Sequence, residues 1–171
     1  MENKRIIIKW FDLYSDDIYQ FLIYRVGVKD AEDLVQEVFI RALKNIDSFQ
    51  DEGKEKSWLY SIARNLAVDE IRKRSRNKWK TLLSSDIGQE GTNEVTPETI
   101  LEKNEINIAL YNGIHRLKPT YRDVIILKGL KELSVSETAA VLDWKESKVR
   151  LTYHRAKLAL KRELGGVQDE K

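Results

Sequence analysis

The sequence contains no cysteine, and only two prolines and two histidines occur among its 171 residues. Without cysteine, neither disulfides nor cysteine-ligated zinc can form. No run of eighteen apolar residues is present, so no direct membrane insertion is expected. The apolar stretch at 6–8 is too short for a signal peptide, and a cytoplasmic protein is therefore the expectation.

Patterns that support catalysis are also scarce. His115 and His154 fall on different predicted helices, without a nearby triad or metal-ligand pattern. The sequence has no glycine-rich phosphate loop and no nucleophile elbow. Its carboxylates occur as helix caps and in one acidic segment, and they do not form a converging pair. We therefore expect no enzyme, no catalytic residue, no metal, no cofactor and no small-molecule substrate.

Apolar residues recur at helical spacing, and strand patterns are weak, which predicts an all-α fold. The second helix is expected to begin at Asp30, whose carboxylate would cap free amides, with Asp33 at the third helical position. Trp79 and Trp144 are expected to be packing anchors at the domain edges. The predicted helices cover residues 7–26, from 30 to about 46, 57–76, 98–117, 119–130, 134–142 and 145–164.

The helices fall into two blocks, which predicts two small helical domains joined by a flexible acidic linker. Residues 81–97 contain serine, glycine and proline but little apolar content, as linkers do. We expect a first domain at 1–80, the linker at 81–97 and a second domain at 98–171.

Charge is strongly patterned although the net charge is only +2. Residues 54–80 carry nine basic and three acidic side chains, a balance of +6, and residues 145–163 have a balance of +5. The segment 86–105 between them has a balance of −5. Two basic patches suggest two contacts with a polyanion, through phosphate neutralisation and counterion release. Solvated helix faces are the alternative interpretation.

The most distinct local pattern is a helix-turn-helix at residues 133–160: a short amphipathic helix, a tight turn and a longer basic helix. Ala139 and Ala140 are small enough for close helix approach, and an ordinary helical hairpin is the alternative. The expected shared core consists of Val135, Leu142 and Val149. In such motifs the second helix enters the major groove. Its expected base and phosphate contacts are Ser147, Lys148, Arg150, Leu151, Thr152 and Arg155.

The segment SETAAVL at 136–142, followed by SKVRLTYHRAKLAL, resembles the fourth-region helix-turn-helix of sigma-70 proteins of the extracytoplasmic-function (ECF) group. The preceding LKPTYRDVIILKGL at 117–130 is similar to the lead-in helix of that domain. Two positions depart from the family. Asp143 replaces the usual turn glycine, and Ser147-Lys148 replaces a glycine-threonine pair, so base preferences are not carried over.

The segment DAEDLVQEVFIRAL at 30–43 resembles the second-region helix with which this family binds the polymerase clamp helices. Leu34, Val38 and Ala42 are expected to point inward. A solvated outer face is the alternative to a docking surface. The outer residues, which the resemblance assigns to core polymerase binding, are Asp33, Gln36, Glu37, Ile40 and Arg41.

The segment at 56–78 resembles the helix that recognises and melts the −10 element, and the loop 48–56 matches the family's base-capturing loop. Single-stranded DNA suits a basic track with groups that hold unstacked bases. Trp58 is expected in the core, whereas Tyr60 is expected to be the exposed aromatic. Asp69 could accept from a base or pair with a neighbouring cation. The expected contacts are Tyr60, Arg64, Asn65, Asp69, Arg72, Lys73 and Arg76, with Arg74 as a further cation of the track.

The resemblance implies an ECF sigma factor, since the family's third domain has no room between residues 80 and 98. Its implied partners are core RNA polymerase, promoter DNA at the −10 and −35 elements, and an anti-sigma factor. Such a factor is often membrane-anchored and sequesters both domains until a stress signal arrives. Two alternatives remain: a stand-alone helix-turn-helix transcription regulator, and a protein-interaction module that keeps the fold without binding DNA.

Overall fold

The computed structural model describes residues 1–50, 52–84 and 107–165, and all regular elements in these ranges are helical, as predicted. A 3₁₀ turn lies at Ile46–Ser48 and a π-helical segment at Ile125–Leu130. No helix in the described ranges could cross a membrane. The helices are α1 (Glu2–Val26), α2 (Val28–Asn45), α3 (Glu55–Leu83), α4 (Ile108–His115), α5 (Pro119–Val124), α6 (Val135–Leu142) and α7 (Glu146–Gly165).

Helices α1, α2 and α3 form a three-helix bundle, which we call the N-terminal domain. Its apolar stripes bury Phe21, Val38 and Leu59 almost completely, as the helical spacing of the sequence requires. Gly27 joins α1 to α2 with φ 90°, a backbone conformation that favours glycine. The chain therefore reverses direction within one residue, and α1 and α2 pack side by side.

The start of α2 differs from the prediction. The helix begins at Val28 and not at Asp30, and in the described part of the chain no side chain caps its first turn. The Asp30 carboxylate instead pairs with Arg74 of α3. The capping prediction was wrong because a distant cation, brought close by the bundle, offers the carboxylate a charged partner that local spacing cannot reveal.

Helices α4 to α7 form what we call the C-terminal domain. Pro119 stands at the first position of α5, where its missing amide hydrogen is tolerated. Ser134 and Glu137 form a reciprocal capping box at the start of α6, with bonds of 3.0 and 2.9 Å. Asp143 ends α6 in the left-handed conformation, with φ 57° and ψ 47°. Asp143 thus adopts a left-handed backbone conformation that glycine usually occupies and that aspartate also tolerates.

Some predicted boundaries extend beyond the described residues. Of the helix predicted at 98–117, the structure describes Ile108–His115 as α4. The predicted linker at 81–97 lies mostly outside the described residues, and its first three positions continue α3 as helix. The division at 80 and 98 therefore stays a prediction.

The two domains pack against each other. Helix α3 contacts α6, and α1 contacts both α4 and the π-helical segment. Buried apolar side chains form one continuous cluster that runs from Ile7 in α1 to Ala156 in α7. The described part of the molecule therefore has a single connected core, with the helix-turn-helix mounted against the N-terminal bundle.

Candidate nucleic-acid and polymerase interfaces

Helix α7 presents a polar face to solvent. Val149 and Ala156 point into the C-terminal core and are fully buried, and Leu142 of α6 packs there as predicted. Thr152 is half-buried. The other predicted contact residues are exposed: Ser147, Lys148, Arg150, Leu151 and Arg155. A recognition helix held from behind in this way leaves its cations and hydroxyl groups free for a duplex groove.

Two of the α7 cations have local partners that orient them. The Lys148 ammonium lies 4.2 Å above the Trp144 ring centroid, a cation–π contact. The Arg150 guanidinium lies 3.4 Å from the Glu146 carboxylate one turn earlier. Trp144 is half-buried against the core, as expected of a packing anchor, whereas Trp79 is 63% exposed near the end of α3. The packing prediction for Trp79 was wrong because the bundle ends before α3 does.

The basic face of α3 is continuous. Asn65, Asp69, Arg72 and Arg76 are spaced by three or four residues, which places them along one side of a helix. All four are exposed, and so is the neighbouring Lys73. Within the described ranges, Asp69 forms no ion pair within 4 Å. Its carboxylate is thus available to the same ligand as the surrounding cations.

Arg74 does not belong to this face. Its guanidinium donates to the Val26 carbonyl at 2.6 Å, pairs with Asp30 and lies 3.4 Å from Glu70. These bonds tie α3 to the turn between α1 and α2. The prediction that Arg74 contributes to the basic track was wrong, because composition alone cannot show which arginine of a cluster turns inward.

Tyr60 is the second correction on α3. The residue is fully buried, its ring packs edge-to-face on Phe21 at 5.6 Å, and its hydroxyl finds no hydrogen-bond partner among the described residues. Burial, with smaller contributions from Asp17 and Glu137, raises its pKa. Tyr60 is therefore not the exposed aromatic that was expected. Its side of α3 is turned toward α1 and toward the C-terminal domain, a contact that a single-helix pattern cannot contain.

Trp58 packs as predicted. Its ring stacks on Phe49 with centroids 4.8 Å apart and meets Trp10 edge-to-face at 6.1 Å. The three aromatic rings anchor the loop between α2 and α3 to α1. This anchoring fixes one wall of an adjacent cavity of about 400 Å³. Loop residues 48–50, 53 and 54 line one side of the cavity, and α6 residues Ser136 and Ala140 line another.

Arg64 takes part in a cluster that sequence reasoning missed. Its Nε lies 3.6 Å from one oxygen of Asp123 in α5, and the Arg25 Nε donates to the other oxygen at 2.7 Å. Arg25 and Asp123 are only 5% and 3% exposed at their side chains. Arg25 sits within an otherwise apolar stretch of α1, a pattern that could have marked it as a member of a buried pair.

The outer face of α2 is open to solvent. Ile40 is 46% exposed, and the Arg41 Nε lies 3.1 Å from Glu37, one helical turn earlier. Asp33 and Gln36 are exposed on the same side. Val38 and Ala42 are buried beneath this face, and Leu34 is half-buried. The combination of carboxylates, an amide and one exposed isoleucine can bind a basic helical partner that offers an apolar side chain.

In the described residues, no group of three or more carboxylates and histidines is arranged to hold a metal ion. Burial and the nearby Arg122 and Arg25 lower the pKa of His115 to about 4, while a bond to the Tyr24 backbone opposes them. This histidine is therefore neutral at physiological pH. Its place at the domain contact points to a packing role.

Comparison with known families identifies both blocks. Residues 10–77 match the family Sigma-70 region 2, and residues 108–160 match Sigma-70, region 4. Helices α1–α3 correspond to the first match and α4–α7 to the second. A protein with these two regions is a transcription initiation factor of the sigma-70 type.

Relatives of similar sequence narrow the assignment to one group within this family. The chain is 38% identical to the ECF RNA polymerase sigma factor SigW of Bacillus subtilis, with 90% of this chain and 86% of the relative covered. It is 34% identical to SigX of the same organism, at 94% and 84% coverage. The chain belongs to the sigma-70 family and to its ECF group.

Solved structures share the fold. The sigma factor RpoE of Bartonella quintana, in complex with the anti-sigma factor NepR, superposes with a TM-score of 0.71 at 23% identity, covering 92% of this chain and 95% of that one. CnrH, in complex with the cytosolic domain of CnrY, gives 0.71 at 20% identity, covering 95% and 90%.

Proposed function

We propose that this chain binds core RNA polymerase, directs it to promoters that carry −10 and −35 elements, and assists strand opening at the start of transcription. One observation carries the proposal: a single chain with both sigma-70 regions exposes a polar recognition helix, a basic α3 face and an acidic α2 face. The relatives are named RNA polymerase sigma factors. The chain acts as an initiation subunit without chemistry of its own, in the cytoplasm where polymerase works.

The −35 element is read by α7. Arg150, Lys148 and Ser147 stand near the N-terminal end of the helix, where recognition helices meet base edges. Arg155 lies further along and holds phosphates, which position the protein without reading sequence. The Trp144 ring beneath Lys148 limits the directions in which its ammonium can reach the groove.

The −10 element is bound by the exposed face of α3 and by the cavity beside it. Asn65 and Asp69 offer an amide and a carboxylate to base edges, and Arg72, Lys73 and Arg76 follow the backbone. The cavity of about 400 Å³ beside this face, lined by Phe49, Lys54 and Trp58 among others, is within the size range of small-ligand sites. A base taken out of the stack would be held there against the Phe49 and Trp58 rings.

Core polymerase is bound by the α2 surface, defined as Asp33, Gln36, Glu37, Ile40 and Arg41. Its carboxylates attract a basic helical hairpin, and Ile40 supplies an apolar contact at the centre. Charge pairs at such a surface speed association, while the buried apolar anchor provides most of the affinity.

An anti-sigma factor is the further partner. Of the two structures with this fold, RpoE was solved with the anti-sigma factor NepR and CnrH with the cytosolic domain of CnrY. We extend that partner class to this chain, with release under stress and with the option of tethering at the membrane through the partner. The chain itself then needs no sensor.

Run-off transcription tests the proposal. Purified chain is added to core polymerase from a related bacterium with pooled genomic fragments, and new transcripts are mapped. We expect transcripts with shared upstream elements that require both chain and polymerase. Tight, specific duplex binding by the chain alone, without transcription, would instead support the stand-alone regulator.

A further inference from the structure

The last part of α3 projects beyond the bundle. Within the described ranges, its last buried residue is Ala67, and Arg74 is the last of its side chains that bonds to α2. Every residue from 75 to 83 is exposed, although this stretch, which we call the α3 arm, stays helical. Because most helical stability in proteins comes from packing of one face, a ligand that lies along the arm would stabilise it.

The α3 arm carries three large apolar side chains that face water. Trp79 is 63% exposed, and Leu82 and Leu83 are each 69% exposed. Tryptophan is a highly buried residue on average. A ring that stands mostly in water beside two exposed leucines therefore indicates a contact surface, in contrast to the single apolar residues that are common on any protein surface.

Trp79 lies on the same face of α3 as the residues assigned to the −10 element. Starting from Asn65, this face continues at steps of three or four residues through Asp69, Arg72, Arg76 and Trp79. At about 100° per residue, these five positions stay within about 40° of one line along the helix. The indole ring therefore continues that face about one turn beyond Arg76.

The charge around the ring indicates the kind of ligand. Residues 71–85 contain six basic side chains and no acidic one. Arg74 is turned toward the bundle, and the other five are exposed: Arg72, Lys73, Arg76, Lys78 and Lys80. An aromatic ring among cations is the arrangement with which proteins bind single-stranded nucleic acid, because the ring stacks on a base while the cations hold the phosphates. An uncharged partner would leave these cations without a counterion.

We propose that Trp79 is a DNA-binding residue that stacks on an unpaired base of the strand held by Arg72 and Arg76. The α3 arm thereby extends the promoter contact beyond the −10 residues already assigned. The inference rests on the proposed function, because that function assigns the preceding turns of α3 to DNA. Trp79 lies outside the match to Sigma-70 region 2, which ends at residue 77. The contact is therefore not one that the family match implies.

The length of the face limits where the stacked base can be. Asn65 and Trp79 are about 21 Å apart along the helix axis, at 1.5 Å per residue. Stacked bases of one strand follow each other at about 3.4 Å. The base that stacks on Trp79 should therefore lie no more than about six nucleotides from the base that Asn65 contacts.

A fluorescent base locates the contact in the complete complex. The full chain is combined with core polymerase and a promoter found by run-off transcription, and 2-aminopurine, whose emission falls when it is stacked, replaces one base of the melted strand at a time. We expect one position that is dark with the parent chain and several-fold brighter with Trp79→Leu, which keeps an apolar side chain without an aromatic face. That position should lie within about six nucleotides of the one that Asn65→Ala affects. If no position responds to Trp79→Leu, the proposal is overturned.

The rate of open-complex formation gives the functional readout. Trp79→Leu should lower it about tenfold, because stacking of a base on an aromatic side chain contributes strongly to single-strand binding. Trp79→Phe should keep most of the rate, since it retains an aromatic face. Leu82→Ala is the matched control: it changes an exposed apolar residue of the same arm that is turned by about 100° from the DNA face. Equal losses with Leu82→Ala and Trp79→Leu would mean a general apolar contact and would overturn stacking.

Binding to core polymerase separates a DNA contact from a protein contact. Because the Trp79 ring is exposed, Trp79→Leu should leave both the affinity for core polymerase and the thermal midpoint of the chain unchanged. A loss of that affinity, with no change in 2-aminopurine emission, would make the α3 arm a protein contact and overturn the proposal. Transcription that is equal in the parent and in Trp79→Leu removes the inference and leaves the proposed function intact. A parent chain that is inert with polymerase would instead remove the proposed function and the inference with it.

Discussion

The two DNA-facing helices of this protein are presented in different ways. Helix α7 packs on the core with one side and leaves most of its predicted contact residues exposed, whereas on α3 Arg64 is half-buried beside Asp123 and Tyr60 is buried. The polar face of α7 is thus accessible to a large ligand, while the corresponding face of α3 is only partly accessible. The difference shows that neighbouring residues of one helix can differ in their access to solvent because of the domain that packs against that helix.

The largest expected effect comes from a substitution in the core, which tests whether the two domains also differ in stability. Phe21→Ala removes a fully buried ring that packs on Tyr60. We expect a loss of about 3–5 kcal/mol in the free energy of unfolding. Because one apolar cluster spans both domains, denaturant unfolding followed by circular dichroism should show a single shifted transition. Two transitions, with only one shifted, would mean that the domains unfold independently.

Charge reversal on α7 tests the proposed role of its exposed cations. Lys148→Glu with Arg150→Glu should lower run-off transcription by about a hundredfold, since two contacts are each worth about 1–3 kcal/mol. Lys161→Glu with Arg162→Glu is the matched control, because these exposed cations lie on the same helix beyond the proposed contacts. Equal losses of transcription in both double variants would mean that the effect comes from general electrostatics and not from specific contacts.

Two arginines of α3 are expected to have different roles: Arg72 in DNA binding and Arg74 in the stability of the fold. Arg72→Ala removes an exposed cation and should slow open-complex formation about tenfold, while the thermal midpoint stays unchanged. Arg74→Ala removes the bond to Val26 and the pairing with Asp30. It should destabilise the fold by about 1–2 kcal/mol, because the site is partly solvated. Permanganate footprinting and thermal unfolding measure the two effects; the reverse pattern would contradict the assignment.

The capping box gives a smaller effect confined to the C-terminal domain. Ser134→Ala should destabilise α6 by about 1 kcal/mol, because the Glu137 amide loses its side-chain acceptor. Ser134→Asn keeps an acceptor and serves as the control. Hydrogen exchange of the α6 amides measures the change. Faster exchange spread equally over α1 would show that the two domains open together.

The smallest effect is a pH dependence of stability. His115 lies among Arg122, Arg25 and the Tyr24 backbone, and its pKa falls from the ordinary 6.5 to about 4 in the folded protein. Folding thus favours the neutral form: this contribution is fully present above pH 6.5 and is lost as the pH falls toward 4. The thermal midpoint of unfolding should fall in that window. His115→Gln should remove the histidine component, and an unchanged pH profile in that variant would assign the effect elsewhere.

Local patterns predicted much of this molecule. The helical spacing of Val38, Ala42 and Leu59 identified buried stripes, and Pro119 marked the start of a helix. The helix-turn-helix was readable because its two helices and its turn are consecutive in sequence. The same reasoning missed Arg74, Tyr60 and the Asp30 pairing, since each depends on a partner more than thirty residues away.

The sequence by itself determined the helices, the two basic patches and the family, because periodicity, charge and motif are properties of neighbouring residues. Only the tertiary structure decided which arginines face solvent, since residues of like charge on one helix differ in their surroundings alone. It also decided that Arg25 and Asp123 meet. Two residues of opposite charge on separate domains can be buried only together, and that requirement becomes visible once the domains are packed.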